Sequence, residues 1–179
     1  MTIDFEDVKS NLYDWAIANL PANTPVIFLY QNAPRPEEAY VTLYLSSVVQ
    51  IGDDFVPQPL LLDGEIEQIG DREFTMQIAT YGGDCFTRLE NLRSSLQKET
   101  VLATLRANGI AFVQHFPIQD ITELVSSRFE NRAQMDVLFR IGQDYSDNSG
   151  SIETVEIEEE FSNGESVVYS ETVTISAAP

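Results

Sequence analysis

One histidine and one cysteine are the side chains of this 179-residue sequence that could serve as a general base or a thiolate nucleophile near neutral pH. His115 stands among Phe112, Val113 and Phe116 in an apolar run, where a structural histidine is the expected role. Cys85 follows Asp84 at an expected helix start, a place where a helix dipole can favour a thiolate. No basic neighbour in the sequence reinforces that effect, so packing is the expected role. Phosphate-binding Gly-rich loops, a dinucleotide fingerprint, a Gly-x-Ser-x-Gly elbow and a His-Glu-x-x-His pair are all missing from the sequence. The stretch from Asp144 to Ile152 has the look of a calcium loop, but its glycine is one place late and Val155 stands where a bidentate Glu is needed. Asp144 and Asp147 are read as parts of a polar turn, with an irregular metal site the lesser alternative. No catalytic residue, cofactor or metal is expected, and the chain is read as a non-enzyme.

The charge balance narrows the partners. Twenty-nine acids against ten bases give a net charge of −19, while hydrophobic content stays at 43%. A core is therefore available, but a basic cluster that would release counterions from a nucleic-acid backbone is not. Tyr30, Tyr40 and Tyr44 with Phe28 could stack bases only beside a basic groove, which the sequence lacks. An acidic surface suits solubility, a basic protein partner, or a conduit wall along which DNA slides without sticking. Glu156 and Glu158 to Glu160 are read chiefly as an exposed edge that resists aggregation, and secondarily as a partner surface. The lone cysteine rules out an intrachain disulfide framework and fits a reducing compartment. Neither a signal peptide nor a membrane span is expected, because Met1 to Asp7 is polar and acidic and no apolar run approaches ~18 residues.

The elements that would position these residues can be read from periodicity. Phe5, Val8, Leu12, Trp15 and Ile17 to Ala18 predict a helix from Asp4 to Asn19, stopped by Pro21. Strands are expected at Val26 to Leu29 and Ala39 to Ile51, then a loop over Asp53 to Pro59. A hairpin follows, with arms Leu60 to Ile69 and Arg72 to Tyr81 pivoting on Gly70-Asp71, and Phe74, Met76 and Ile78 share a buried face. Asp84 caps a helix bearing the stripe Phe86, Leu89, Leu92 and Leu96. A second helix over Glu99 to Ala107 turns Val101, Leu102 and Leu105 inward and ends before Gly109. Ile110 to Phe116 is a strand, Asp120 to Ser126 is left without a type, and Ala133, Met135, Val137, Phe139 and Ile141 alternate along the clearest strand. After a turn from Asp144 to Gly150, Ile152 to Phe161 and Val167 to Ile175 pair about Asn163-Gly164. The expected fold is one α/β (α+β) domain over residues 1–179: a mainly antiparallel or mixed sheet flanked by helices on one face, with a C-terminal β-hairpin. Residues 162–179 are expected as a protruding hairpin arm and frayed tail.

The segment Arg128-Phe-Glu-Asn-Arg-Ala-Gln-Met-Asp-Val-Leu-Phe-Arg, followed by Asp144-Tyr-Ser-Asp and Ile152-Glu-Thr-Val-Glu-Ile, resembles the closing half of phage neck or tail terminator proteins. The resemblance covers roughly Tyr81 to Glu158. It implies a structural virion protein, assembled in the host cytoplasm, that forms a homo-oligomeric ring, a hexamer. Such a ring terminates the tail tube and joins it to head-completion and neck proteins, with the sheath as a further partner in contractile tails and DNA passing through the lumen. Arg128, Glu130 and Arg132 are the first candidates for a partner or subunit interface, because arginine forms bidentate pairs with carboxylates; an intrachain cluster is the ordinary alternative. Glu156 and Glu158 are the second candidates. Two other classes stay open at this point: an acidic inhibitor or DNA mimic that binds a basic partner, and a carboxylate metal-dependent hydrolase.

Overall fold

Alternation of apolar and polar residues over Ala133 to Ile141 demands a strand with one buried face, and this strand is the spine of the molecule. The computed structural model describes residues 3–32, 34–56, 65–148, 150, 154–162 and 167–176. Its elements run α1 (Phe5–Asn19), β1 (Val26–Phe28), β2 (Tyr40–Phe55), β3 (Glu65–Tyr81), α2 (Cys85–Ser95), α3 (Glu99–Ala107) and β4 (Ile110–His115). They continue β5 (Gln119–Asp120), β6 (Glu123–Val125), β7 (Arg128–Glu130), β8 (Arg132–Asn148), β9 (Thr154–Ser162) and β10 (Val167–Ser176). Contacts divide the chain into two units, Met1–Asp54 with Gly70–Asp144, and Phe55–Ile69 with Tyr145–Pro179.

In the first unit the sheet order is β1-β2-β3-β8-β4, with β5 also on β8. β1 is parallel to β2, and β4 and β5 are antiparallel to β8, so the sheet is mixed as expected. Its buried face carries Val41 and Leu43 from β2, Phe74, Met76 and Ile78 from β3, and Ala133, Met135, Val137 and Phe139 from β8. These pack in a single core with Val8, Leu12, Trp15 and Ala16 of α1, Leu89 and Leu92 of α2, and Leu105 of α3. The helices thus cover that face. At the centre Phe139 stacks on Phe74 with ring centroids 5.6 Å apart, and meets Trp15 and Phe112 edge-on at 6.1 and 6.2 Å. Trp15 donates its indole N–H to the Ser95 hydroxyl at 2.9 Å, so the one polar group it carries into the core is satisfied and α1 is pinned to α2.

Several local expectations are corrected. Gly70-Asp71 is not a hairpin turn: β3 runs unbroken from Glu65 to Tyr81, and residues 57–64, between β2 and β3, lie outside the described residues. Gly70 is needed for a different reason, since a methyl group on it would collide with the Asp54 carboxylate, which receives both ends of the Arg72 guanidinium at 2.7 Å. A planar, nearly buried ion pair thus occupies the space of the missing side chain, and Asp53 to Phe55 belong to β2 and not to a loop. Ala16 replaces Ile17 and Ala18 in the buried stripe of α1, because Val8, Leu12, Trp15 and Ala16 keep the helical spacing and Ile17 is exposed. In α2 the stripe begins at Cys85, one residue before the exposed Phe86. β8 continues through Asp144 to Asn148, so these residues belong to a strand and not to the expected turn, and Gly150 N–H donates to the Asn148 side chain. Asp120 to Ser126 resolves into β5 and β6, and β6 pairs with β7 across Ser126-Ser127, Ser126 being left-handed at φ 58°.

In the second unit β9 and β10 form an antiparallel ribbon, and the phenol of Tyr145 donates to the Gln68 side chain at 2.9 Å. The expected Asn163-Gly164 turn and the terminal Ala177 to Pro179 fall outside the described residues. No described helix is long and apolar enough to cross a membrane.

Two substitutions test this account of the core by urea unfolding. Phe139→Ala removes the shared aromatic and is expected to cost about 3–5 kcal/mol. Gly70→Ala, harmless in a turn that tolerates a side chain, is expected to cost roughly 1–3 kcal/mol here, because the Asp54–Arg72 pair must move.

Candidate functional site

The turn Gly82-Gly83, left-handed at φ 71° and 60°, ends β3 and sets the start of β8 beside it, for Gly82 N–H donates to Asn131 C=O at 2.9 Å. Only glycine adopts two such conformations in succession without strain. Arg88 of α2 seals the turn by donating to the Gly82 and Tyr81 carbonyls. At this end of the sheet the polar face of β8 begins with Arg132, and the small hairpin β6–β7 folds over it.

Arg132 and Glu130 are brought together. Arg132 donates to Glu130 from Nε at 2.7 Å and approaches it from Nη2 at 2.6 Å, and Nη1 bonds Glu123 on β6. Glu130 is held from its other oxygen by Arg35. Beneath them Tyr40 and Tyr81 stack with centroids 4.6 Å apart and rings 6° from parallel. The Arg35 guanidinium lies 5.4 Å from the Tyr40 ring and the Arg132 guanidinium 5.5 Å from the Tyr81 ring. Burial pushes the Tyr40 phenol above its usual range, Tyr81 adds to that, and Arg35 and Arg132 oppose it. Two cations, two rings and two carboxylates therefore complete one another within the chain.

Arg128 stands apart. It is exposed at the first position of β7 and makes no ion pair among the described residues. Its neighbour Phe129 is 76% exposed, and Leu124, opposite Phe129 across the hairpin, is 56% exposed. These two apolar side chains were missed in the sequence. The signal was there: Glu-Leu-Val and Arg-Phe-Glu flank two serines, the pattern of a short hairpin.

The acidic candidates lie on the ribbon. In the register of the ribbon Glu156 stands opposite Thr174, Glu158 opposite Thr172 and Glu160 opposite Ser170, while Val155 stands opposite Ile175 and Ile157 opposite Val173. Glu156 is exposed, as are Val155, Ile157 and Val173.

The groups with chemical potential sit elsewhere. Cys85 is buried, its sulfur within reach of the Thr80, Gly82 and Asn131 carbonyls. Arg88, one turn on, comes within 3.9 Å of that sulfur, a basic neighbour that the sequence reading did not count. His115 ends β4 with its ring on Phe112, 6.3 Å between centroids. Among the described residues no three metal-ligating side chains of the His, Cys, Asp and Glu types come together.

A sequence model described as phage neck terminator protein matches residues 6–165. The chain belongs to that family. This neck terminator matches no curated protein sequence. Among solved structures it is similar to the sheath/tube terminator of an extracellular contractile injection system, PVC, in its extended state, with 12% identity and a TM-score of 0.48. That likeness covers 93% of this chain and 66% of the other, so the terminator described here spans just under two thirds of the PVC protein's length. Membership gives the chain the structural role of a tail terminator in the neck of a phage virion.

Two predictions separate the parts of this site. Arg132→Ala is expected to lower stability by about 2 kcal/mol through loss of charged hydrogen bonds, while Arg128→Ala changes it by less than ~0.5 kcal/mol, both by urea unfolding. Asp84 and Asp120 are held below the usual carboxylate range by hydrogen bonds from Thr87 and Thr122, side chain first and backbone second. A carboxylate depressed in the fold contributes stability above its unfolded pKa, near ~4, and loses it as pH falls through the folded value. Thr87→Ala and Thr122→Ala are therefore expected to flatten the fall of melting temperature below pH ~4 while leaving its slope near neutrality unchanged.

Proposed function

We propose that this chain assembles as a ring, a hexamer, at the head-proximal end of a phage tail, capping the tube and joining it to head-completion proteins. The observation that carries the reading is the match of the terminator family over residues 6–165. The surface supports it. Basic side chains are mostly spent on intrachain pairs such as Arg72–Asp54, Arg140–Glu73 and Arg132–Glu130, which leaves the surplus of acids facing outward. A wall of that sign repels the DNA backbone, so DNA traverses such a ring without being held.

The ribbon supplies a second element of the reading. A two-stranded ribbon is marginal alone in water, and this one exposes Val155, Ile157 and Val173 as well as Glu156, with Glu158 two positions further along the same strand. Docking on a neighbour with basic groups would cover the apolar side chains and pair the acids, and we assign the ribbon to the joining surface. In a contractile tail the sheath is a further candidate for that contact.

The mass of the purified chain by light scattering after size exclusion, alone and mixed with its tail-tube protein, tests the proposal. A six-subunit species in either sample is expected. A monomer that ignores the tube would overturn the ring and favour an acidic inhibitor of a basic partner. Glu156→Gln with Glu158→Gln is expected to leave melting temperature unchanged and to weaken joining to the rest of the tail; unchanged joining would remove the ribbon's acids from the partner surface.

A further inference from the structure

A groove of about 480 Å³ runs between α1 and α3. Trp15, Val101 and Leu105 give it an apolar floor, and the rest of its lining is mostly polar, with Asp14, Thr104 and Asn108 among it. Asp14 is exposed and makes no ion pair among the described residues. The volume falls within the ~300–1,000 Å³ of sites that take compact apolar groups.

We propose that the groove receives the β6–β7 hairpin tip of a second copy of this chain, with Phe129 and Leu124 on the apolar floor and Arg128 paired with Asp14 at the rim. The inference rests on the ring reading and names the contact that would build it. Three observations converge. The hairpin exposes two large apolar side chains beside a cation with no carboxylate partner among the described residues, while the groove offers apolar side chains beside a carboxylate with no cation partner among them. Opposite charge thus accompanies apolar surface on both sides of the contact, which gives register as well as area.

The hairpin is also braced as a projecting contact should be. Arg132 ties Glu123 on β6 to Glu130 on β7, so the arm is cross-linked at its base and its tip is presented with little freedom left to lose.

Finally, a chain cannot fill its own groove. The hairpin joins β8 at Arg132, whereas Trp15 on the groove floor rests on Phe139. At ~3.3 Å per residue those points are roughly 23 Å apart along the strand, and a three-residue arm extends only about 10 Å. The two halves of the contact lie toward different ends of the sheet, so pairing between copies is head-to-tail, the kind of contact that builds a ring when its rotation closes.

Charge exchange tests the contact. Arg128→Glu and Asp14→Arg, each alone, are expected to weaken assembly by roughly tenfold or more, with melting temperature of the monomer unchanged. The double variant is expected to recover it, which a folding defect would not allow. A cysteine pair gives the geometry: Phe129→Cys with Thr104→Cys in one chain should yield a ladder of covalent multimers on oxidation of the assembly, and no ladder from either variant alone. Full-sized rings from both charge variants, or a double variant no better than the singles, would overturn the contact while leaving the ring reading standing. A wild-type chain that stays monomeric with and without tube protein would overturn both.

Discussion

Phe139 is the constraint on which the first unit depends. Its ring is the one surface shared by Phe74 of β3, Phe112 of β4 and Trp15 of α1, so three elements take their positions from it. Trp15 then fixes α2 through Ser95, whose hydroxyl passes a bond on to the Leu92 carbonyl. A close-packed interior transmits displacement because there is little void to absorb it. The consequence reaches the surface, since the indole that packs on Phe139 also floors the groove between α1 and α3. Core and candidate contact are two sides of one residue.

Electrostatics follows a second rule, economy of cations. With ten bases available, most are placed against a specific carboxylate, and the best-placed are desolvated: Arg72 and Asp54 expose 13% and 8% of their side chains. Pairs this dry are set by geometry more than by net gain, because desolvation offsets much of the attraction. Their value here is positional. Arg72 holds the edge of β3 against β2, Arg140 reaches from β8 to Glu73 on β3, and Arg132 closes the hairpin. What remains unpaired is overwhelmingly acidic, which gives the chain its external character without a dedicated acidic domain.

Much of this was legible in the sequence because period and capping are local properties. The alternation from Ala133 to Ile141 and the Asp84 cap of α2 depend on neighbours in the chain, and both stand as read. Gly70 was misread because glycine in a strand and glycine in a turn look alike until the residue across from it is known; the Asp54 carboxylate that explains it is distant in sequence. The candidate site was half visible. Arg128, Glu130 and Arg132 were found together, but their division into a closed cluster and a free tip depends on Arg35, Tyr40 and Tyr81, which arrive from elsewhere in the fold. Exposed Phe129 could not be told from a core residue by its type alone.

The burial of Cys85 bears on the life of the particle. A thiol exposed to an oxidising medium oxidises or couples to another thiol, whereas a reducing compartment keeps it free. The chain's sole sulfhydryl is enclosed beneath the Gly82-Gly83 turn among carbonyl oxygens, away from oxidant and from any neighbour's thiol. An oxidising medium therefore leaves the covalent structure of the closed fold as it was, and the thiol reacts only when the fold opens.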